Sequence, residues 1–185
     1  ALPAPAGRYA GTGDAVRAAR AILRSRAPEV VAVLPSDQAY GCILPDLLKN
    51  HRDRKNVITL ALARVPVVEA APLGVVSVED SGRLSSYREK PAASDFAPGT
   101  TCLVSTGIFL FAAGRLLDFL DNRPESAPAD WDLAPGLFPW EEVAAFEIAG
   151  YWRDAGTIGA YWRAHMDLLE PCSVLDQAGP AWPRP

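Results

Sequence analysis

The 185-residue sequence is poor in the residues that build disulfide frameworks and soft-metal sites, with three cysteines and two histidines. Cys42, Cys102 and Cys172 are widely spaced and form no Cys-x-x-Cys pair, which argues against a disulfide framework and a zinc site. No apolar run approaches the roughly 20 residues of a membrane helix, and the N-terminal segment lacks the features of a signal peptide. These absences predict a soluble, cytoplasmic protein whose thiols are buried and structural.

The sequence also lacks the signatures of several functional classes. Its 22 acidic and 18 basic residues give a net charge of -4, which offers no general attraction to nucleic acid or to an anionic membrane. His51 and His165 are predicted on helix surfaces, and no Ser or Cys stands in a triad-like context, so covalent hydrolytic catalysis is disfavoured. The chain is long enough for one α/β domain with a real core.

What the sequence does contain is an alternation of helical and strand patterns. Strands are predicted at 30–34, 57–63, 73–78, 84–89, 102–111 and 146–149, and helices at 11–26, 45–54, 115–120, 132–140 and 158–169. This order predicts an α/β domain with a mostly parallel, doubly wound sheet, in which ligands bind outside the carboxyl ends of the strands. Residues 1–8 are predicted to be a disordered or extended stub, 9–170 the domain, and 171–185 a Pro-rich tail or linker.

Two aspartates stand where a metal could bind. Asp37 follows the predicted strand 30–34, and Asp154 lies in a Gly-containing turn before a helix. Carboxylates are hard oxygen ligands of the kind that Mg²⁺ prefers, and phosphoryl or nucleotidyl transfer would use such a pair. Either aspartate alone is more often a cap or turn residue.

Two further segments have both a functional and an ordinary interpretation. Gly11-Thr12-Gly13 precedes a helix and could place backbone N–H groups against a nucleobase or phosphate, but Thr12 or Asp14 could simply cap the helix. Lys90, at the end of a hairpin arm, could meet a sugar phosphate or form a solvated pair with Glu89.

Six strings, spread over nearly the whole chain, resemble one family when they are taken in order. They are Tyr9-Ala10-Gly11-Thr12-Gly13-Asp14-Ala15-Val16, Val33-Leu34-Pro35-Ser36-Asp37, Leu73-Gly74-Val75, Tyr87-Arg88-Glu89-Lys90-Pro91, Ser105-Thr106-Gly107-Ile108-Phe109-Leu110-Phe111 and Tyr151-Trp152-Arg153-Asp154-Ala155-Gly156-Thr157. They look like the catalytic nucleotidyltransferase domain of ADP-glucose pyrophosphorylase (glucose-1-phosphate adenylyltransferase). The last string is the most specific.

The resemblance implies a Rossmann-like nucleotidyltransferase fold and an enzyme of glycogen or starch synthesis that makes ADP-glucose and pyrophosphate from ATP and glucose 1-phosphate. It implies that Asp37 and Asp154 are catalytic and hold Mg²⁺. Six further positions are implied to bind substrate in stated ways: Glu89 and Lys90 the sugar phosphate, Ser105 the sugar pocket, and Tyr9, Gly11 and Thr12 the adenine. Gly74 is implied to let the backbone approach the glucose, and Asp132 to contact substrate.

Departures from the family pattern leave other functions open. Gln38 replaces the family's His after Asp37, and the family's first strand, its Gly-rich triphosphate loop and its C-terminal β-helix domain have no counterpart in this sequence. We therefore expect little or no activity from this chain alone. The alternatives are a non-catalytic sugar-phosphate-binding or regulatory subunit, and a uridylyl, thymidylyl or guanylyl transferase. A homo-oligomer, or a pairing with an intact relative, is compatible with either.

Overall fold

The computed structural model describes residues 9, 11–41, 43–92, 95–97, 99–122 and 138–169. Its helices are α1 (Thr12–Ala18), α2 (Arg20–Arg26), α3 (Leu44–Asp53), α4 (Val67–Ala70), α5 (Ala113–Asn122) and α6 (Ile158–Asp167). Its strands are β1 (Val30–Val33), β2 (Gln38–Tyr40), β3 (Ile58–Pro66), β4 (Gly74–Val78), β5 (Leu84–Glu89), β6 (Thr101–Ala112), β7 (Val143–Glu147) and β8 (Trp152–Asp154). The predicted stub 1–8, tail 171–185, Asp132, Cys42, Cys172 and most of the predicted helix 132–140 lie outside the described residues.

The strands confirm the α/β class and form a mixed sheet. The sheet has the order β5-β4-β6-β3-β7, with β1 also paired to β6, and β2 and β8 form a separate two-stranded ladder. β1, β3, β4 and β7 run in one direction, and β5 and β6 run in the other. β6 is antiparallel to its neighbours β1, β3 and β4, so among the described strand pairs of this sheet β3–β7 is the parallel one.

Helices cover both faces of the sheet, since alternate residues of the central strands enter different cores. Leu60 of β3 and Phe109 of β6 pack in the core that receives α1 and α5. Ala61 and Ile108, one residue along each strand, pack in the core beneath Leu47 of α3. These side chains are completely buried, which explains the nearly continuous apolar runs of β3 and β6.

The predicted surface position of His51 is wrong. Its side chain is 3% exposed, because it lies four residues after the buried Leu47 and therefore on the inner face of α3. His51 Nδ1 lies 2.8 Å from Thr59 Oγ1, and Asn56 Nδ2 donates to the same hydroxyl at 3.2 Å. Burial lowers the pKa of His51. His165 is exposed, as predicted.

A bulge interrupts β6 where the Ser105-Thr106-Gly107 string lies. The register with β3 changes from Leu60 opposite Phe109 to Leu62 opposite Ser105, so β6 holds extra residues there. Gly107 has a φ of 72°, and a Cβ on it would lie 3.0 Å from Pro35 Cγ. The bulge thus receives the loop that follows β1.

One further expectation differs in detail. The helix expected at 11–26 is divided at Ala19 into α1 and α2, and α2 ends at Arg26, before Ala27, whose φ of 42° is left-handed. The helices in the described part of the chain are too short or too polar to cross a membrane.

Candidate active site

Asp37 and Asp154 are brought together by the β2–β8 ladder. Gln38 pairs with Asp154 in this antiparallel ladder, and the Ala155 N–H donates to the Asp37 carbonyl at 2.8 Å. Asp37 immediately precedes β2, and Asp154 is the last residue of β8. Two residues that are far apart in sequence therefore lie side by side at one end of a short ladder.

The two carboxylates converge on the space in front of Gly156. A Cβ on Gly156 would lie 3.2 Å from Asp37 Oδ2, 3.4 Å from Asp154 Oδ1 and 3.7 Å from Asp154 Oδ2. A methyl group would crowd Asp37 and contact Asp154, whereas the glycine leaves a hollow bounded by carboxylate oxygens. Gly156 is a site residue that sequence reasoning missed, although the Asp-Ala-Gly spacing was visible in the sequence.

The electrostatics of the hollow favour a cation. Burial raises the pKa of Asp154, the negative charge of Asp37 raises it further, and a hydrogen bond from the Gly156 backbone lowers it. Two like charges that share a partly buried space repel each other. A divalent cation between them would relieve this repulsion.

The two carboxylates fit a partly hydrated Mg²⁺ better than a metal ion that is held entirely by protein side chains. Among the described residues there is no group of three or more His, Cys, Asp or Glu side chains that could hold a metal ion. Mg²⁺ commonly takes one or two carboxylates from the protein and completes its octahedron with water and substrate phosphates. Asp37 and Asp154, converging on an empty Cβ position, supply such a partial set.

Asp154 also lines a cleft of about 560 Å³. Leu73, Trp152, Arg153 and Thr157 are among the other lining residues. The Thr157 hydroxyl caps α6 by accepting a hydrogen bond from the Ala160 N–H at 3.1 Å. The cleft thus extends from Asp154 to the start of the β4–β5 hairpin, since Leu73 immediately precedes β4.

The base of the β4–β5 hairpin holds the predicted sugar-phosphate residues. Gly74 pairs with Glu89, and the Lys90 N–H donates to the Leu73 carbonyl at 3.0 Å. The Lys90 ammonium lies 3.8 Å from Glu89 Oε1, with both side chains exposed. Lys90 has a φ of 45°, a backbone conformation that is uncommon for a residue with a Cβ and that is found disproportionately at functional sites.

Gly74 makes room for a side chain of the protein itself. A Cβ on Gly74 would lie 2.7 Å from Tyr87 Cζ, inside the volume of the ring. The Tyr87 hydroxyl in turn donates to the Glu89 carboxylate. Close approach to glucose at Gly74 stays a prediction, and the packing of Tyr87 is a second reason for a glycine there.

The structure gives the surroundings of the remaining predicted substrate-binding residues that it describes, but no contact that bears on their proposed roles. The Ser105 hydroxyl is half-buried and accepts a hydrogen bond from the Gly107 N–H at 3.2 Å, within the bulge of β6. Tyr9 is 39% exposed, and Gly11 is the extended residue before α1, with a φ of -172°. Thr12 is the first residue of α1. Their roles toward adenine and sugar stay predictions.

The chain is similar in sequence to known nucleotidyl transferases. The chain matches the nucleotidyl transferase family over residues 2–171. Glucose-1-phosphate adenylyltransferase 1 of Vibrio vulnificus (strain YJ016) is 34% identical over 191 residues, which cover 95% of this chain and 47% of that protein. The glucose-1-phosphate adenylyltransferase of Nitrosospira multiformis is 35% identical over 193 residues, covering 94% of this chain and 45% of its own length.

Two carboxylates that converge at one end of a short ladder could hold a divalent cation of the kind used in metal-assisted phosphoryl transfer. The chain belongs to the nucleotidyl transferase family. It spans about half the length of the curated relatives it matches.

Proposed function

We propose that the chain is part of a glucose-1-phosphate adenylyltransferase that works in the cytoplasm. The proposed reaction joins ATP and α-D-glucose 1-phosphate into ADP-glucose and releases pyrophosphate. The observation that carries the proposal is the convergence of the Asp37 and Asp154 carboxylates on the hollow at Gly156. The names of the relatives supply the substrates.

The proposed chemistry is an in-line displacement. A phosphate oxygen of glucose 1-phosphate forms a bond to the α-phosphorus of ATP, and the bond from that phosphorus to the bridging oxygen of pyrophosphate breaks. No protein nucleophile is required, so positioning and charge neutralisation provide most of the rate enhancement. A bound Mg²⁺ would supply charge neutralisation at the reacting phosphates. Asp37 and Asp154 would hold it between them.

The base of the hairpin would hold the sugar end of the substrate. Lys90 presents an exposed ammonium to a phosphate, and Glu89 presents a carboxylate that can accept from sugar hydroxyls. Tyr87 holds Glu89 through its hydroxyl. Leu73 is adjacent to Gly74 and lines the same cleft as Asp154, which supports a sugar site beside the metal site.

Calorimetric titration of the 185-residue chain with ADP-glucose, with and without Mg²⁺, tests the proposal. We expect binding that strengthens with Mg²⁺ and that Asp154→Asn weakens by at least roughly tenfold, because it removes a charged metal ligand. Binding that is independent of the metal and insensitive to Asp154→Asn would contradict it. UDP-glucose, dTDP-glucose and GDP-glucose serve as matched competitors, and preference for one of them would move the assignment to another nucleotide.

A further inference from the structure

The Gln38 side chain makes hydrogen bonds in two directions. Its Nε2 donates to the Thr106 carbonyl, and its Oε1 accepts from the indole Nε1–H of Trp152 at 3.0 Å. An indole N–H can only donate and a backbone carbonyl can only accept. A single orientation of the Gln38 amide therefore satisfies both partners.

One of these partners belongs to the main sheet. Thr106 lies in the bulge of β6, where its hydroxyl donates to the Ala61 carbonyl at 2.8 Å and accepts from the Ile108 N–H at 3.2 Å. The Thr106 side chain is 1% exposed. The carbonyl that Gln38 contacts is thus part of a fixed, buried segment.

The other partner belongs to the strand that carries Asp154. Trp152 is two residues before Asp154 in β8, and its side chain packs against two of the apolar cores. Gln38 itself follows Asp37 directly and is the ladder partner of Asp154. The amide of Gln38 thus connects the main sheet to both strands that present the carboxylates.

We infer that Gln38 is a positioning residue, which holds the Asp37 and Asp154 carboxylates in one orientation by tying the β2–β8 ladder that presents them to the β6 bulge. This inference rests on the proposed function, because it concerns the same metal-binding pair. The backbone of the ladder alone fixes the register of the two strands. The orientation of the ladder against the sheet depends on contacts such as those of Gln38, and Mg²⁺ demands nearly ideal octahedral geometry.

Both hydrogen bonds of residue 38 require a side-chain amide, and not merely a polar side chain. A Glu would keep the acceptor for Trp152 but would place a carboxylate oxygen against the Thr106 carbonyl, and its charge would add to those of the two aspartates. A Met would keep the length of the side chain and lose both hydrogen bonds. The Gln38→Met variant therefore isolates the effect of the two hydrogen bonds.

Electron paramagnetic resonance of Mn²⁺, used as a probe for Mg²⁺, measures metal affinity in the 185-residue chain saturated with ADP-glucose. We expect Gln38→Met to raise the Kd for Mn²⁺ roughly tenfold, as residues that orient metal ligands commonly do. Thr59→Val is the matched control, because it removes a buried hydrogen-bonding hydroxyl that contacts His51 and Asn56 rather than the ladder. It should reduce stability to urea and leave the Kd for Mn²⁺ unchanged.

Trp152→Phe tests the same positioning role from the other side of the hydrogen bond between Trp152 and Gln38. It removes the indole N–H, so it should raise the Kd for Mn²⁺ by itself. Combined with Gln38→Met, it should raise the Kd by less than the product of the two single effects, because both variants break the same hydrogen bond.

The outcomes separate this inference from the proposed function. If the native chain binds Mn²⁺ and the Gln38→Met chain binds it equally well, the positioning role is refuted and the proposed function stands. If Thr59→Val raises the Kd as much as Gln38→Met, general destabilisation explains the effect and the inference also fails. If the native chain binds neither Mn²⁺ nor ADP-glucose, both proposals fall together.

Discussion

Gly156→Ala adds one methyl group to the hollow between the two aspartates. The new Cβ would stand 3.2 Å from Asp37 Oδ2, closer than ordinary van der Waals contact, and 3.4 Å from Asp154 Oδ1, at the lower limit of ordinary contact. Carboxylate side chains can turn away by a few tenths of an ångström. The methyl group would then occupy space that a cation or its coordinated water needs.

The expected effects of Gly156→Ala on folding and on metal binding have opposite signs. Gly156 is not among the glycines with a positive φ, so an alanine is compatible with its backbone. Replacing such a glycine commonly stabilises a protein by about 0.4–1 kcal/mol, because the unfolded chain loses freedom. The crowded oxygens offset part of this gain. Mg²⁺ affinity should meanwhile fall by roughly 10- to 100-fold, since its ligand geometry is strict.

Urea unfolding and Mn²⁺ titration of the same preparations measure the two effects. Gly114→Ala is the matched control, because Gly114 lies in α5 and its added Cβ would meet nothing within 4 Å. The control should gain up to about 1 kcal/mol in unfolding free energy and bind Mn²⁺ like the native chain. Native metal affinity in Gly156→Ala would refute the assignment of the hollow.

Three further predictions concern other parts of the chain. Gly107→Ala should lower the unfolding free energy by roughly 1–3 kcal/mol, because it combines a φ of 72° with a contact to Pro35; an unchanged urea midpoint would contradict this. Since burial lowers the folded pKa of His51 below its ordinary value near 6.5, the unfolding free energy should fall as pH drops from about 6.5 through the folded pKa, and His51→Gln should flatten that dependence. Gly74→Ala should destabilise the native chain more than a chain that already carries Tyr87→Ala, as urea unfolding of the four variants would show.

Most of the fold could be predicted because its elements follow local patterns. β3 and β6 are buried on both faces and read as apolar runs, and α3 begins with Pro45 close to its N-terminus, where proline is tolerated. The direction of β6 could not be predicted in this way, because an apolar run does not encode which neighbour it pairs with. The short strands β2 and β8 also escaped prediction, since three residues are too few to show a period.

The site was predictable only as a set of residue types. Asp37 and Asp154 were identified from their positions beside turns and from resemblance, and the structure places them together. The hollow at Gly156 and the two hydrogen bonds of Gln38 depend on contacts between segments more than 60 residues apart, such as Gln38 with Thr106. Burial of His51 was missed because its polarity was weighed above its position four residues after Leu47.

Several of the strings that carry the family resemblance pack against one another at glycines, where a side chain would not fit without a shift. The Cβ that Gly74 lacks would collide with Tyr87, the one that Gly107 lacks would press on Pro35, and the one that Gly156 lacks would press on Asp37. Each glycine thus makes room for a residue of a different string. A side chain added at one string therefore requires its partner string to shift or to change too. This coupling gives the strings a packing reason to occur together, in addition to the proposed chemistry at Asp37 and Asp154.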